Sequence, residues 1–262
     1  MIRQDYHMHT NYSIDSNAPM ETMIQSAVKK GFTEIAFTDH IDFTYGISIN
    51  YTEYINQLNK LKDKYKKQIK IVLGVEFGLS VNSAKESAEF VRKFPFDFVI
   101  GSSHDIMGSD LWNKSFFRGK NKETAYTLYF EEIINNIKTQ PNFCVYGHLD
   151  FIIRYAPYDD NSLHYRDYAD YIDTIFKLLI ENGKGIEINS SGFRYQLNTT
   201  HPRTEIIERY LELGGKIITV GSDAHSPEYV GAEFDYVETM LKELGVKRIC
   251  QFREMKPVFI AI

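Results

Sequence analysis

The sequence predicts an α/β fold of seven or eight strand–helix units, closed or distorted into a (β/α) barrel, with an open doubly wound sheet as the alternative. Three observations predict it. Short apolar runs alternate with longer amphipathic segments along the chain. The short runs are rich in Ile, Val and Phe and read as buried on both faces, the pattern of a parallel sheet covered by helices. The length of 262 residues suits one such barrel, since these are typically about 250 residues long. No repeat, low-complexity stretch or linker interrupts the pattern, so residues 1–262 are expected to form one domain.

Taken in order, the predicted strands are Ile2–His7, Glu34–Thr38, Ile69–Glu76, Phe96–Ser102, Phe143–Gly147, Gly185–Asn189 and Lys216–Gly221. A last apolar run, Pro257–Ile262, is a candidate eighth strand. Between them the period of apolar residues predicts helices near Met20–Lys30, Tyr51–Lys67, Ala84–Lys93, Lys122–Lys138, Tyr165–Asn182, Thr204–Leu213 and Ala232–Leu244. Several begin after Ser, Thr, Asp or Pro, and several end at Gly, as in KKGF, ENGKG and LGGK. Two loops stand out, Ile41–Tyr51 and Met107–Asn121. The second holds the only tryptophan, Trp112, with Phe116, Phe117 and Arg118, and reads either as a substrate lid or as an aromatic loop packed on the barrel rim.

Bulk composition excludes several classes. The hydrophobic share of 43% supplies a substantial core. A net charge of −5 argues against non-specific nucleic-acid binding, which needs a basic surface to displace counterions. Only two cysteines, Cys144 and Cys250, rule against a disulfide framework or a paired-cysteine zinc site, and fit a reducing cytoplasm. The N-terminal MIRQDYHMHT lacks the apolar stretch of a signal peptide, and no apolar run approaches the roughly 18–20 residues that span a bilayer. The expectation is a soluble cytoplasmic protein without a membrane partner.

Six of the eight histidines fall where predicted strands end: His7 and His9 in DYHMHT, His40 in FTDH, His104 in GSSHD, His148 in YGHLD and His225 in GSDAH. Carboxylates accompany them at Asp15, Asp39, Glu76 and Asp223. In a β/α barrel such ends converge on one mouth. On a strand, side chains two apart share a face, so His7 and His9 point together, as do Asp223 and His225. A lone His-x-His is a weak signal. Four further strand-end histidines and a strand-end glutamate make it a predicted metal cluster.

The strings HMHTNYSID, FTDH, GVEFG, SSHD, GHLD and GSDAH, in this order, resemble the motifs of the PHP (polymerase and histidinol phosphatase) phosphoesterases, over most of the chain. That resemblance implies a distorted (β/α)7 barrel with a trinuclear metal centre at the C-terminal ends of the strands. Carried over by position, one metal would be held by His7, His9, Glu76 and Asp223. A second would share Glu76 and take His104 and His148, and a third would take Asp15, His40 and His225. Imidazole and carboxylate donors together suit Zn, Mn or Fe. Asp39 would orient a ligand histidine, cap a turn, or serve as a weak candidate for the proton donor to the leaving group.

Clustered divalent metals lower the pKa of a bound water, neutralise phosphoryl oxygens and align attack with departure. The expected nucleophile is a bridging hydroxide, so no side-chain nucleophile is required. Arginine adds planar, bidentate recognition of phosphate. Arg154 closes GHLDFIIR and Arg194 closes EINSSGFR, both placed for the mouth, and these strings resemble the histidinol-phosphatase branch of the family, where arginines at these places bind substrate phosphate. Arg118 and Arg203 are weaker candidates. Ser191, beside Ser190, would donate to phosphate or form a simple turn. His201 would touch substrate only if its loop folds back, and His164 is expected at the surface. The resemblance thus implies hydrolysis of L-histidinol phosphate, a small phosphomonoester, in histidine biosynthesis. A phosphoesterase acting on phosphotyrosine, nucleotides or nucleic-acid ends is the near alternative. An amidohydrolase-like metal hydrolase is the distant one, disfavoured by Arg194 and by the lack of an obvious carbamylated-lysine position.

Overall fold

The computed structural model describes residues 1–46 and 49–262. Seven parallel strands follow one another around a nearly closed barrel in chain order: β1 (Gln4–Met8), β2 (Glu34–Phe37), β3 (Lys70–Gly78), β4 (Phe98–Ser102), β5 (Val145–Tyr146), β6 (Gly185–Asn189) and β7 (Ile218–Gly221). Each pairs with the next, for instance Ile35 with Ile71, Val75 with Val99 and Ile186 with Ile218. The ring closes at a single parallel bridge between Met8 and Ala224, where His9 N–H donates to the Ala224 carbonyl at 2.9 Å. The buried Asp5 carboxylate strengthens this seam by accepting from the Ser222 and Gly231 backbone N–H groups at 3.0 and 2.9 Å. The prediction of a distorted barrel is therefore met and the open sheet is not.

The strands are buried because helices cover the outside: α1 (Met20–Lys29), α2 (Tyr51–Tyr65), α3 (Ala84–Lys93), α4 (Lys122–Thr139), α5 (Ala169–Glu181), the short α6 (Ser191–Arg194), α7 (Thr204–Glu212) and α8 (Phe234–Glu243). In α1 the buried residues are Met20, Met23, Ile24 and Ala27, the i, i+3, i+4, i+7 stripe of a helix lying on a sheet. The Asn50 and Asn121 side chains accept from Glu53 and Thr124 N–H and so start α2 and α4. Gly31 ends α1 at φ +80°, with Phe32 N–H returning to the Ala27 carbonyl, the left-handed cap that glycine adopts without strain.

Three expectations need correction. Pro257–Ile262 is not an eighth barrel strand. Lys256–Ala261 (β9) pairs antiparallel with Arg248–Arg253 (β8), which the sequence reading missed. The two strands are joined only by Glu254 and Met255, both at positive φ, and so short a connection permits only a hairpin, because a parallel partner needs a long crossover. The hairpin seals the N-terminal end of the barrel: Phe252 packs on Phe98 at 5.1 Å, and Arg253 pairs with Glu34. The helix expected over Tyr165–Asn182 begins at Ala169, after a separate 3-10 turn at Tyr165–Asp167. The one expected from Ala232 begins at Phe234, after Glu233 at φ +61°. In the loop Met107–Asn121, Phe116 and Phe117 are buried, which supports the packed-rim reading, while Trp112 is exposed. Part of the loop Ile41–Tyr51, at 47 and 48, lies outside the described residues.

Candidate metal centre

The barrel delivers all six predicted histidines to one mouth. His7 lies in β1 and His9 just beyond it. After β2 the chain breaks at Thr38–Asp39 and resumes pairing, setting His40 opposite Glu76 of β3. His104 follows β4, His148 follows β5, and Asp223 and His225 follow β7. His148 and Asp223 take positive φ values, 24° and 53°, turning their side chains back over the mouth. Asp15 stands on the open side, half exposed.

Glu76 is the hub, fully buried. Its Oε2 lies 3.0 Å from His7 Nε2, 3.0 Å from His40 Nδ1 and 3.5 Å from His9 Nε2. Its Oε1 lies 2.9 Å from His148 Nε2 and 3.3 Å from His104 Nε2. Asp223 Oδ1 is 3.5 Å from both His9 Nε2 and His225 Nδ1. Asp15 Oδ2 is 3.0 Å from His225 Nε2 and 3.4 Å from His40 Nε2.

These separations suit metal ligation. Donors about 2.1 Å from a tetrahedral ion stand roughly 3.4 Å apart, and the pairs here scatter around that value. The His9 Nε2 and His148 Nδ1 atoms are buried with no hydrogen-bond partner, a costly state that a cation beside them would relieve at His9. Three overlapping groups have donor atoms close enough to share an ion: His7, His9 and Glu76; His40, Glu76 and His104; and His9, Asp15, His40 and His225. The division differs from the expected one in that His9 and His40 each join two groups, while His148 and Asp223 join none.

Charge pairing dominates the electrostatics. Burial works to raise the Glu76 and Asp223 carboxyls, yet neighbouring imidazoles hold both well below the usual carboxylate range. Burial works to lower His7 and His40, but Glu187 and Glu76 beside His7, and Glu76 and Asp15 beside His40, hold both well above the ordinary imidazole value. His9 goes the other way: burial and the neighbouring His225 and His40 keep it neutral. Ligands must be deprotonated, so loading metal would release protons.

A second ring of polar groups holds these side chains. Asp39 is fully buried and accepts from Thr10 N–H and from the Thr10 and Ser13 hydroxyls. Ser13 Oγ in turn meets His9 Nδ1 at 3.0 Å and accepts from His40 N–H. Through Ser13, Asp39 is thereby tied to the positions of His9 and His40. Glu187 of β6, with Oε1 2.5 Å from His7 Nδ1, and Asn189 beside it were missed by the sequence reading. The signal was present: in GIEIN, two polar residues alternate with isoleucines in a strand buried on both faces.

Both arginines reach the site. Arg154 is sandwiched between the Phe151 and Tyr195 rings, donates from Nη2 to Ser191 Oγ, and stands 3.5 Å from Asp223 Oδ2. Arg194 donates to the Ser222 and Asp223 carbonyls and lies over the Tyr229 ring. Ser191 is buried and holds Arg154. His201 has no exposed surface; it bridges Asn189 at the end of β6, and its Nδ1 pairs with the buried Asp150. Arg118 is exposed, Arg203 donates to the Leu163 carbonyl, and His164 pairs with Glu205 near the surface.

A seven-stranded parallel barrel with imidazoles, carboxylates and two arginines gathered at its mouth defines an α/β-barrel protein able to bind metal ions. The chain belongs to the PHP domain family, whose model matches residues 5–191. A histidinol-phosphatase of Lactococcus lactis is 31% identical, over 98% of this chain and 96% of its own length. A probable histidinol-phosphatase of Clostridium acetobutylicum is also 31% identical, over 94% and 95%. The crystal structure of the Lactococcus lactis histidinol phosphate phosphatase, complexed with Zn, L-histidinol and phosphate, superposes with a TM-score of 0.91 over 98% of both chains. A putative histidinol phosphatase of Listeria monocytogenes, 18% identical, shares the fold with a TM-score of 0.77 over 89% of this chain and 99% of its own.

Proposed function

We propose that this chain is a metal-dependent phosphatase that hydrolyses L-histidinol phosphate to L-histidinol and phosphate. One observation carries the reading: the cluster centred on Glu76, with Arg154 and Arg194 at its edge, in a chain that aligns end to end with a relative solved with Zn, L-histidinol and phosphate. His7, His9, Glu76 and Asp223, then Glu76, His104 and His148, then Asp15, His40 and His225 would hold three ions of Zn, Mn or Fe. Bound there, such ions would supply a nucleophile at neutral pH and neutralise phosphoryl oxygens.

The chain's own residues do the rest. Arg154, kept planar between two rings, presents guanidinium donors to phosphate oxygens and would carry substrate binding with Arg194. Ser191 fixes Arg154 through Oγ. The open side of the cluster is the edge of Asp15, His225, His104 and His40, the members with exposed surface, and substrate would enter there. We read residues 1–262 as one catalytic unit acting in the cytoplasm on a small phosphomonoester, without nucleic acid. Among the described residues no helix is long and apolar enough to cross a membrane.

The test is phosphate release from L-histidinol phosphate beside phosphotyrosine, AMP and an aryl phosphate, with metal content measured on the same sample. The expected result is a rate on histidinol phosphate orders of magnitude above the others. Similar slow rates on all four would keep the phosphatase chemistry and discard the substrate.

A further inference from the structure

We propose that Glu187 is a positioning residue of the metal centre, whose single carboxylate sets the His7 imidazole and the His148 backbone together. The inference rests on the reading above that these two histidines hold metal. Glu187 lies mid-strand in β6, 1% exposed, with its carboxylate between the ends of β1 and β5. Its Oε1 is 2.5 Å from His7 Nδ1. Its Oε2 accepts from His148 N–H at 3.0 Å and from Asn189 Nδ2 at 3.1 Å.

Each contact has a consequence for ligation. The Glu187 carboxylate accepts a hydrogen bond from His7 Nδ1–H, which keeps a proton on that nitrogen and leaves Nε2, the atom that faces Glu76, as the one whose proton a metal would displace. The bond to His148 N–H pins a residue at φ +24°, a conformation L residues rarely adopt, and so fixes the direction in which that imidazole leaves the chain. Room for the carboxylate comes from Gly221, where a Cβ would collide with both Glu187 Oε1 and His7 Cβ. The strand carries the order further: Asn189 Oδ1 accepts from Ser191 N–H at 2.9 Å, and Ser191 Oγ accepts from Arg154. One strand face thus sets two imidazoles and an arginine.

The charge and the reach are both required. Three donors converge on Glu187, and a carboxylate offers only acceptors. In Glu187→Gln one oxygen becomes an NH2 that must confront either His7 Nδ1–H or His148 N–H. In Glu187→Asp the charge stays, but a side chain one methylene shorter cannot reach both.

The experiment uses wild-type protein, Glu187→Gln and Glu187→Asp, stripped of metal and titrated with zinc against a chromophoric chelator, with thermal melting of the metal-free forms. The expected result is zinc affinity weakened roughly 10–100-fold in both variants, with the metal-free proteins still folded and melting cooperatively within a few degrees of wild type. Affinities within twofold of wild type would overturn the inference. So would metal loss that tracks loss of the metal-free fold, which would make the carboxylate a packing group. Wild-type protein that takes up no zinc and releases no phosphate would overturn the proposed function itself, an outcome distinct from saturated wild type beside unaffected variants.

Discussion

Gly221→Ala tests the packing of the site with one methyl group. Gly221 ends β7, and a Cβ built there would lie under 3.0 Å from Glu187 Oε1 and from His7 Cβ. Carbon atoms pack at about 3.5–4.0 Å, so something must move by about 1 Å. Neither neighbour can move freely: His7 is a fully buried β1 residue, and Glu187 is held by three donors. Overpacking of this kind costs about 1–3 kcal/mol, which for a chain of this size lowers the melting temperature by about 2–6 °C. The functional loss should be larger in proportion, because about 1 Å of displacement at a reacting centre can cost on the order of 100-fold in rate. The assay is differential scanning of the metal-free protein together with zinc affinity and phosphate release from L-histidinol phosphate. Wild-type melting, zinc affinity and turnover in Gly221→Ala would refute the claim that this contact is rigid.

Other perturbations separate the parts of the site. Arg154→Met keeps apolar bulk between Phe151 and Tyr195 but removes donors to phosphate; two charge-assisted hydrogen bonds at about 1.5–3 kcal/mol each predict a drop in kcat/KM of about 10²–10⁴ with metal content kept. Arg194→Ala should also cost metal, because Arg194 anchors the Ser222 and Asp223 carbonyls, so equal metal content in the two arginine variants would contradict that distinction. His9→Ala and Asp223→Asn should lose metal and activity together, and full activity with full metal in either would remove it from the ligand set. Away from the mouth, Glu238 receives Ile2 N–H, the Met1 amine and Lys242 Nζ; burial pushes its carboxyl up, but these partners win and hold it at about 2, below the usual 4.5. A depressed carboxyl stabilises the fold above its unfolded value, and that contribution disappears as pH falls through the folded one. Glu238→Gln should therefore melt below wild type at pH 7, and the gap should close between about pH 4.5 and about pH 2; a gap that stays constant across that window would sink the assignment.

Much of the molecule was legible in one dimension. The apolar runs marked all seven barrel strands, because a strand covered on both faces must be apolar over nearly its whole length. Strand-end placement marked the six histidines and Glu76, because a barrel sends those ends to one mouth. The hairpin was read wrongly because RICQFR carries Arg248, Gln251 and Arg253 in six residues and so shows neither a continuous apolar run nor a strict alternation, and the apolar run after it does not by itself reveal the direction of its partner.

By itself, then, the sequence determined the barrel, its order and the chemical inventory of the mouth, since these follow from local period and from which residue types close each strand. Tertiary structure alone decided which donors meet. It made Glu76 the hub, turned Asp39 toward Thr10 and Ser13, buried His201 against Asp150, and brought Glu187 to His7 across 180 positions of chain. The physical reason is that hydrogen-bond partners in the mouth come from different strands, and the angles at which those strands close the ring are set by packing throughout the barrel, which no single segment encodes.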